Sequence, residues 1–441
     1  MPDPLRVAVL GSGPAGIYAA EALARADVSV DIFDRLPAPY GLVRYGVAPD
    51  HLKIKSVART LQRVFELPNV RFIGNVTYGP DLSLTDLRRC YDAILFATGS
   101  PFDRHLGVPG EDLPGSVAAA EVVNWYSGLP GANAELGLHA TDVAIVGAGN
   151  VALDVARILA KGADALSFTD MPDPVLDALG RAAATDIHIV ARRGPAQAKF
   201  TLVELREMGE LPDADVVVDP AELELDEASH EAMSGRRTTR TMVELFQSWA
   251  QRPLTGKPRR VHFHFLRRPV AILGTDAVAG LQVERSHLNG SGGVVGTGET
   301  ETIPAQLVVR SIGYRGAPIE GLPFDESAGT IPHNEGSVDV PGCYVAGWIK
   351  RGPTGVIGTN RADATGTVAT LLAEADTLER APERDPEAIL ALLDKRGVDF
   401  VTWDGWLRLD SHELKLGKAR GRERTKVHEL AEMLEISRRI G

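Results

Sequence analysis

Short apolar runs recur along the chain, each ending at glycines or charged residues. Val7 to Leu10 (VAVL), Ala93 to Phe96 (AILF), Val143 to Val146 (VAIV) and Ile187 to Val190 (IHIV) are the clearest. Runs of this length and composition predict strands buried on both faces of parallel sheets. A second strand is predicted at Val28 to Phe33. Residues 70–78 (VRFIGNVTY), 261–285 and 306–311 alternate as strands do, and the Gly-rich stretch 290–298 reads as a hairpin tip. Helices are predicted from Ile17 to Arg25, from about His51 or Leu52 to Phe65, from the residues after Gly149 to about Lys161, over 201–211, and over the Ala/Thr-rich stretch after Thr359. Ala163 to Thr185 reads as an insertion of mixed helix and loop, and the tail from about Arg384 as two helices that add little chemistry.

Two of these runs lead into the same punctuation. After Leu10 comes Gly11-Ser12-Gly13-Pro14-Ala15-Gly16, a G-x-G-x-x-G between a strand and a helix. Gly11 permits the tight turn, Gly13 lets a pyrophosphate approach the backbone, and Gly16 lets the helix lie close to the sheet. The helix N-terminus offers N–H groups and partial positive charge to phosphates. The next strand ends on Asp34, whose carboxylate can accept from ribose hydroxyls. After Val146 the pattern returns as Gly147-Ala148-Gly149-Asn150-Val151-Ala152, a G-x-G-x-x-A. This internal duplication implies two dinucleotide sites in one chain. The second unit differs at its acidic position: its next strand ends on Arg192-Arg193. Arginines there suit the 2′-phosphate of NADP rather than the free hydroxyl of NAD.

The chain has 441 residues, 44% of them hydrophobic, which exceeds one ordinary core and points to two domains. The fold class expected is α/β: two Rossmann-like dinucleotide-binding domains, the second inserted into the first. No apolar run reaches the length of a membrane span. A first strand near Arg6 leaves no room for a signal or transit peptide, so a cytoplasmic location is expected. Cys90 and Cys343 are the two cysteines and form no C-x-x-C, which argues against a structural zinc site and against a dithiol-dependent flavoenzyme; no metal site is expected. His262 and His264 are read as sharing a strand face. A net charge of −12 argues against general nucleic-acid affinity. Within that acidic chain, positive charge gathers at Arg206, Arg236, Arg237, Arg240 and Lys257 to Arg260, a candidate dock for an acidic partner.

With these residues in view, the chain resembles the adrenodoxin-reductase type of NADPH–ferredoxin reductase, most closely the bacterial members. The resemblance runs from about residue 5 to 372 and more weakly beyond. It is carried by GSGPAG (11–16), YGLVRYGVAPDH (40–51), PGEDLPGS (109–116), GNVALDVARIL (149–159), RRGPAQAKFTLVELRE (192–207), VVRSIGYRG (308–316) and GWIKRGPTGVIGTN (347–360). The loop ending at His51 and the Gly347–Asn360 stretch are the specific ones. The resemblance implies an FAD-binding domain formed by residues 1–104 and 325–441 and an NADP-binding domain over 105–324. It implies that Gly11, Gly13, Ala15, Gly16, Asp34, Leu42, Tyr78, Trp348, Gly355, Val356 and Ile357 meet FAD. It implies that Gly149, Asn150, Val151, Ala152, Arg192, Arg193, Glu204 and Gly355 meet NADP(H). The family often has Glu at the position of Asp34 and Val at that of Tyr78, so the Tyr78 contact would run through its backbone.

The implied activity is electron transfer from NADPH through FAD to a ferredoxin, an acidic iron–sulfur protein, with flavodoxin as another acceptor. The family places the Asp50-His51 loop near the flavin ring with Glu207 facing it, so His51 and Glu207 are the candidate proton carriers. Two alternatives stand beside this activity. One is a flavin monooxygenase or an amidotransferase-linked reductase, although the latter's N-terminal cysteine clusters are absent. The other is an FAD- and NADP-binding sensor that turns over no substrate.

Overall fold

A computed structural model describes residues 4–133, 136–289 and 292–438. It divides the chain into two compact units, one of Met1–Phe102, Ser127–Gly131 and Tyr314–Gly441 and the other of Asp103–Tyr126 and Ala132–Gly313. The second is thus inserted into the first, and the chain returns at Tyr314 rather than at 325. Tyr314 stacks on Trp348, with ring centroids 5.8 Å apart, which ties the returning segment to the first unit.

The first unit is built on a six-stranded sheet. In spatial order the strands are Cys343–Val345, Ala93–Phe96, Arg6–Leu10, Ser29–Phe33, Val70–Gly74 and Val401–Thr402. All neighbours are parallel except the last pair. The central strand Arg6–Leu10 is buried throughout, as its unbroken apolar run requires. Helices Pro14–Ala24, Ala58–Phe65 and Thr359–Ala373 contribute to one core, and Leu84–Cys90 and Ala388–Lys395 to the other. The strands that follow Arg6–Leu10 in sequence lie on opposite sides of it. Its carboxyl end is therefore a topological switch point, where open α/β sheets bind ligands.

The second unit repeats the plan. Its parallel strands run Ser116–Ala118, Leu307–Arg310, Asp142–Val146, Asp186–Val190, Arg259–His264 and Ala214–Val218. A separate antiparallel sheet of Arg267–Gly274, Val278–Leu288 and Val294–Pro304 shares a core with the face carrying Ala144, Val146 and Val190. Among the described residues, no helix is long and apolar enough to cross a membrane.

Several predicted elements change. The strand expected over 70–78 stops at Gly74, because Asn75 takes φ 57°. The helix expected to Phe65 breaks into Leu52–Lys55 and Ala58–Phe65, with the Ser56 hydroxyl donating to Lys53 O. The helix expected to end near Lys161 extends as Asn150–Leu166, interrupted at Gly162 with φ 69°. The 290–298 tip is mostly strand, since Val294–Pro304 pairs along Val278–Leu288; Gly290 and Ser291 lie outside the described residues. The 261–285 stretch is split between the two sheets, because its first strand pairs in parallel with Asp186–Val190.

Candidate functional site

The first glycine-rich turn has a closed side and an open side. Gly11 has φ 110°, and a Cβ on it would lie 2.5 Å from Ala97 O. A Cβ on Gly16 would fall 1.9 Å from Gly11 O. Neither position can carry a side chain without moving backbone. Gly13 is different: the nearest atom to a Cβ there is Gly41 Cα, at 4.0 Å. Gly13 also caps helix Pro14–Ala24 with no side-chain hydrogen bond. An open glycine beside an uncapped helix start fits a pyrophosphate.

Asp34 does more than the sequence suggests. Its Oδ2 accepts from Ser12 N at 2.8 Å and Ser12 Oγ at 2.5 Å, and its Oδ1 accepts from Leu36 N at 2.9 Å. A carboxylate has about four acceptor sites, so three are filled and one is left for a ribose hydroxyl. The same side chain therefore shapes the turn and keeps an acceptor site to spare. Above this turn passes the loop that leads to His51. Tyr40 and Gly41 have φ 84° and 48°, and a Cβ on Gly41 would lie 2.9 Å from Gly13 Cα. Leu42, 45% exposed, follows this close passage at the start of helix Leu42–Tyr45.

The returning segment closes on the same helix. Gly347 has φ 78°, and a Cβ there would lie 2.6 Å from Ala15 Cβ. Its N–H donates to Asp363 Oδ2 at 2.5 Å, and Lys350 pairs with the same carboxylate at 3.1 Å. Trp348 is held by Tyr314, as above. Gly355 takes φ 83°, with Val356 and Ile357 leading to the uncapped start of helix Thr359–Ala373. Val356 is 72% exposed there. An exposed valine ahead of a helix start, where the helix dipole is positive, fits an electron-rich ring with an apolar face. Tyr78 points elsewhere: its hydroxyl donates to Glu320 O at 2.7 Å and its ring stands edge-on to Phe96. Burial pushes that phenol up to about 12. The side chain is thus engaged within the protein, which leaves its backbone to meet a ligand.

His51 stands at the start of helix Leu52–Lys55, where its side chain makes no capping bond. Its N–H donates to Ala48 O at 3.0 Å, and the residue is half-buried.

In the second unit the turn repeats with the same division. Gly147 has φ 153°, and a Cβ there would lie 2.1 Å from Ser311 O, whereas a Cβ on Gly149 would meet nothing within 4 Å. Gly149 caps helix Asn150–Leu166 without a side-chain bond. Val151 is half-buried behind it, and Ala152, fully buried, stands in the place of Gly16. Asn150 is used locally: its Oδ1 accepts from Thr201 N at 2.8 Å, while Lys199 N donates to Ala148 O at 2.8 Å. These bonds fasten the segment after strand Asp186–Val190 to the turn. That segment presents Arg192, exposed, and Arg193, half-buried. Their carbonyls are fixed by Ser286 Oγ at 3.1 Å and Leu266 N at 3.2 Å. Among the described residues neither guanidinium has an acidic partner. Two positioned arginines with open donor sets fit a phosphate.

Glu204 and Glu207 lie on helix Leu202–Met208, capped by Thr201. Arg157, fully buried on the preceding long helix, reaches both, at 3.4 Å to Glu204 and 3.6 Å to Glu207, and Asp154 at 2.7 Å. Sequence reasoning missed Arg157. Its signal was an arginine inside the apolar helix stretch ALDVARIL, a position that demands a partner.

Cys90 and Cys343 are free and buried, and burial pushes both thiols up, away from reactivity.

Comparison with known proteins agrees with this geometry. The family model for pyridine nucleotide-disulphide oxidoreductases matches residues 5–194. NADPH-ferredoxin reductase FprA of Mycobacterium tuberculosis is 42% identical over 452 residues, 98% of this chain and 99% of that protein. The mitochondrial NADPH:adrenodoxin oxidoreductase of Salvelinus fontinalis is 40% identical over 454 residues, 98% of this chain and 91% of that protein. A solved structure of Mycobacterium tuberculosis FprA in complex with NADPH matches with a TM-score of 0.92 and 42% identity, covering 99% of this chain and 100% of that one. The chain belongs to the NADPH–ferredoxin reductase family of the adrenodoxin-reductase type.

Proposed function

We propose that this protein carries electrons from NADPH through FAD to a ferredoxin-type iron–sulfur protein. The observation that carries the reading is the doubled glycine turn: one copy ends on a carboxylate and the other on two arginines without acidic partners. FAD supplies the chemistry, accepting a hydride and passing electrons on singly. The protein's residues bind and orient. Gly13, Ala15, Gly16 and Asp34 hold the adenosine and pyrophosphate half of FAD, and Leu42, Trp348 and Gly355 to Ile357 border its ring. Gly149 to Ala152 hold the NADPH pyrophosphate, Arg192 and Arg193 its 2′-phosphate, and Glu204 is a further NADPH contact. Arg157 pairs with Glu204 and Glu207 and aims them.

His51 and Glu207 are the proposed proton carriers for the flavin. A hydride brings two electrons and one proton's worth of hydrogen, and the proton must leave as electrons do. Imidazole exchanges a proton near neutrality. The acceptor docks on Arg206, Arg236, Arg237 and Arg240, all exposed and without acidic partners among the described residues. Flavodoxin is a second acceptor of the same charge class, and the protein works in the cytoplasm.

The test is a pair of assays on the purified yellow protein. NADPH should drive reduction of ferricyanide directly and of cytochrome c through ferredoxin. A protein that binds both dinucleotides and reduces neither acceptor would be a sensor. In the same assays His51→Gln should retain FAD, turn over about tenfold more slowly, and lose the limb of the pH profile near neutrality. Normal turnover with an unchanged profile would assign His51 to loop packing.

A further inference from the structure

The C-terminal helices carry a buried charge cluster that reaches the loop between Gly41 and His51. Glu413, on helix Trp403–Ala419, is fully buried. Its Oε2 accepts from Arg44 Nη1 at 3.0 Å and Arg424 Nη1 at 2.7 Å, and its Oε1 from Arg44 Nη2 at 2.6 Å and Val427 N at 2.9 Å. All four acceptor sites of the carboxylate are thus filled. Burial alone would push the Glu413 carboxyl up, but Arg44 and Arg424 more than offset it and the net shift is down. Arg424 also pairs with Asp410 at 2.6 Å. Lys426, buried as well, donates to Arg44 O at 2.9 Å and Ser127 O at 2.7 Å. The Arg44 guanidinium lies over the rings of Tyr45 and Trp406.

A buried ion cluster is weak evidence for stability, because desolvation offsets most of the attraction. What it does well is fix one arrangement among several. Here the fixed element is the four-residue helix Leu42–Tyr45, too short to hold itself in place. Arg44 is its third residue, and Gly41, immediately before it, passes against Gly13 of the pyrophosphate turn.

We propose that Glu413 is a positioning residue for the flavin: by gripping Arg44 it sets where Leu42 and the loop to His51 stand over the first glycine turn. The proposal rests on the reading that this loop borders the bound flavin. It gives the C-terminal helices a task in the reaction, where the sequence alone suggested little chemistry.

The experiment uses the FAD-loaded protein and three variants: Glu413→Gln, Lys426→Met and Leu42→Arg. FAD release is followed by the recovery of flavin fluorescence, and NADPH kinetics are measured with FAD in excess. Glu413→Gln should release FAD about tenfold faster and Lys426→Met about threefold faster. Both should lower kcat while leaving the NADPH KM within twofold, since the NADPH residues belong to the other unit. Leu42→Arg should also speed release. If Glu413→Gln does not fold, Lys426→Met decides, because it removes the bond to Arg44 O without stranding a carboxylate. The proposal is overturned if the variants that fold release FAD at the parent rate while Leu42→Arg speeds it. It is equally overturned if the NADPH KM rises in step with FAD release, the mark of general loosening. A normal release rate in Leu42→Arg would remove the loop reading itself, and the proposal with it.

Discussion

The two glycine turns solve the same geometric problem with different tolerances. In the first unit the third glycine is compulsory: a Cβ on Gly16 would sit 1.9 Å from Gly11 O. In the second unit Ala152 occupies the equivalent position and is simply buried. Both turns leave the middle glycine, Gly13 or Gly149, open. They part again at the end of the following strand. Asp34 folds back on its own turn through Ser12, whereas Arg192 and Arg193 extend with no acidic partner among the described residues. On the proposed reading, backbone geometry builds a pyrophosphate cradle in both units, and the residue at the strand end chooses the dinucleotide.

The largest expected effect tests the tolerance difference. Gly16→Ala forces a backbone shift, and overpacking of this kind costs about 3 kcal/mol. It should lower the thermal midpoint of the protein sharply and yield mostly flavin-free material. Ala152→Gly should cost only about 1 kcal/mol, through helix propensity. Equal midpoints for the two variants would mean that the turns tolerate side chains alike.

A second contrast is in the imidazoles. Both units bury paired ions, Glu413 with Arg44 in the first and Arg157 with Asp154 and Glu204 in the second. Among the described residues, the second unit alone also packs imidazoles together on one sheet face: His188 stacks on His262 at 4.6 Å, and its Nδ1 lies 3.1 Å from His264 Nε2. Burial, with His262 adding, holds His188 down at about 4; burial, with His188 adding, holds His264 down at about 3. Asp186 and Asp142 oppose the His188 shift, while Arg260 adds to it and Arg267 adds to that of His264. Because the folded values lie below the unfolded one, the unfolded chain binds more protons. The stability they confer is present above about 6.5 and lost as pH falls toward 4. Glu222, pushed up to about 7 by burial, works in the opposite sense between its ordinary value and 7. His188→Gln should therefore flatten the acid limb of a stability–pH curve by on the order of 2 kcal/mol. An acid limb identical to the parent's would assign the loss to other groups.

The smallest effect concerns the partner. Arg240→Gln should slow ferredoxin-dependent cytochrome c reduction by about threefold at low salt, and the defect should vanish at high salt, where screening removes steering. Ferricyanide reduction should not change. A matching defect with ferricyanide would place Arg240 on the hydride path instead.

The parts of this protein that are legible in its sequence are those governed by local rules. The strand–glycine–helix units declare themselves because a buried parallel strand is apolar throughout and a tight turn admits only glycine. Arg192 and Arg193 are legible because they follow directly from the end of such a strand. What was not legible depends on distant partners. Nothing near Arg44 announces Glu413, which lies 369 positions away in the chain. The break between Lys55 and Ala58 and the stop at Asn75 are set by a hydroxyl and a left-handed residue, neither of which interrupts the apolar pattern. The stack of His188 with His262 and His264 depends on strand order, because Arg259–His264 pairs in parallel beside Asp186–Val190.

The central claim, that the strand end chooses the dinucleotide, is tested most directly by steady-state kinetics of Arg192→Ala with NADPH and NADH side by side. Losing one charged, forked contact costs about 1.5–3 kcal/mol. The NADPH KM should rise tenfold or more, the NADH KM should barely move, and adding Arg193→Ala should erase what preference is left. Equal losses with both cofactors, or a preference for NADPH that survives removal of both arginines, would contradict the account.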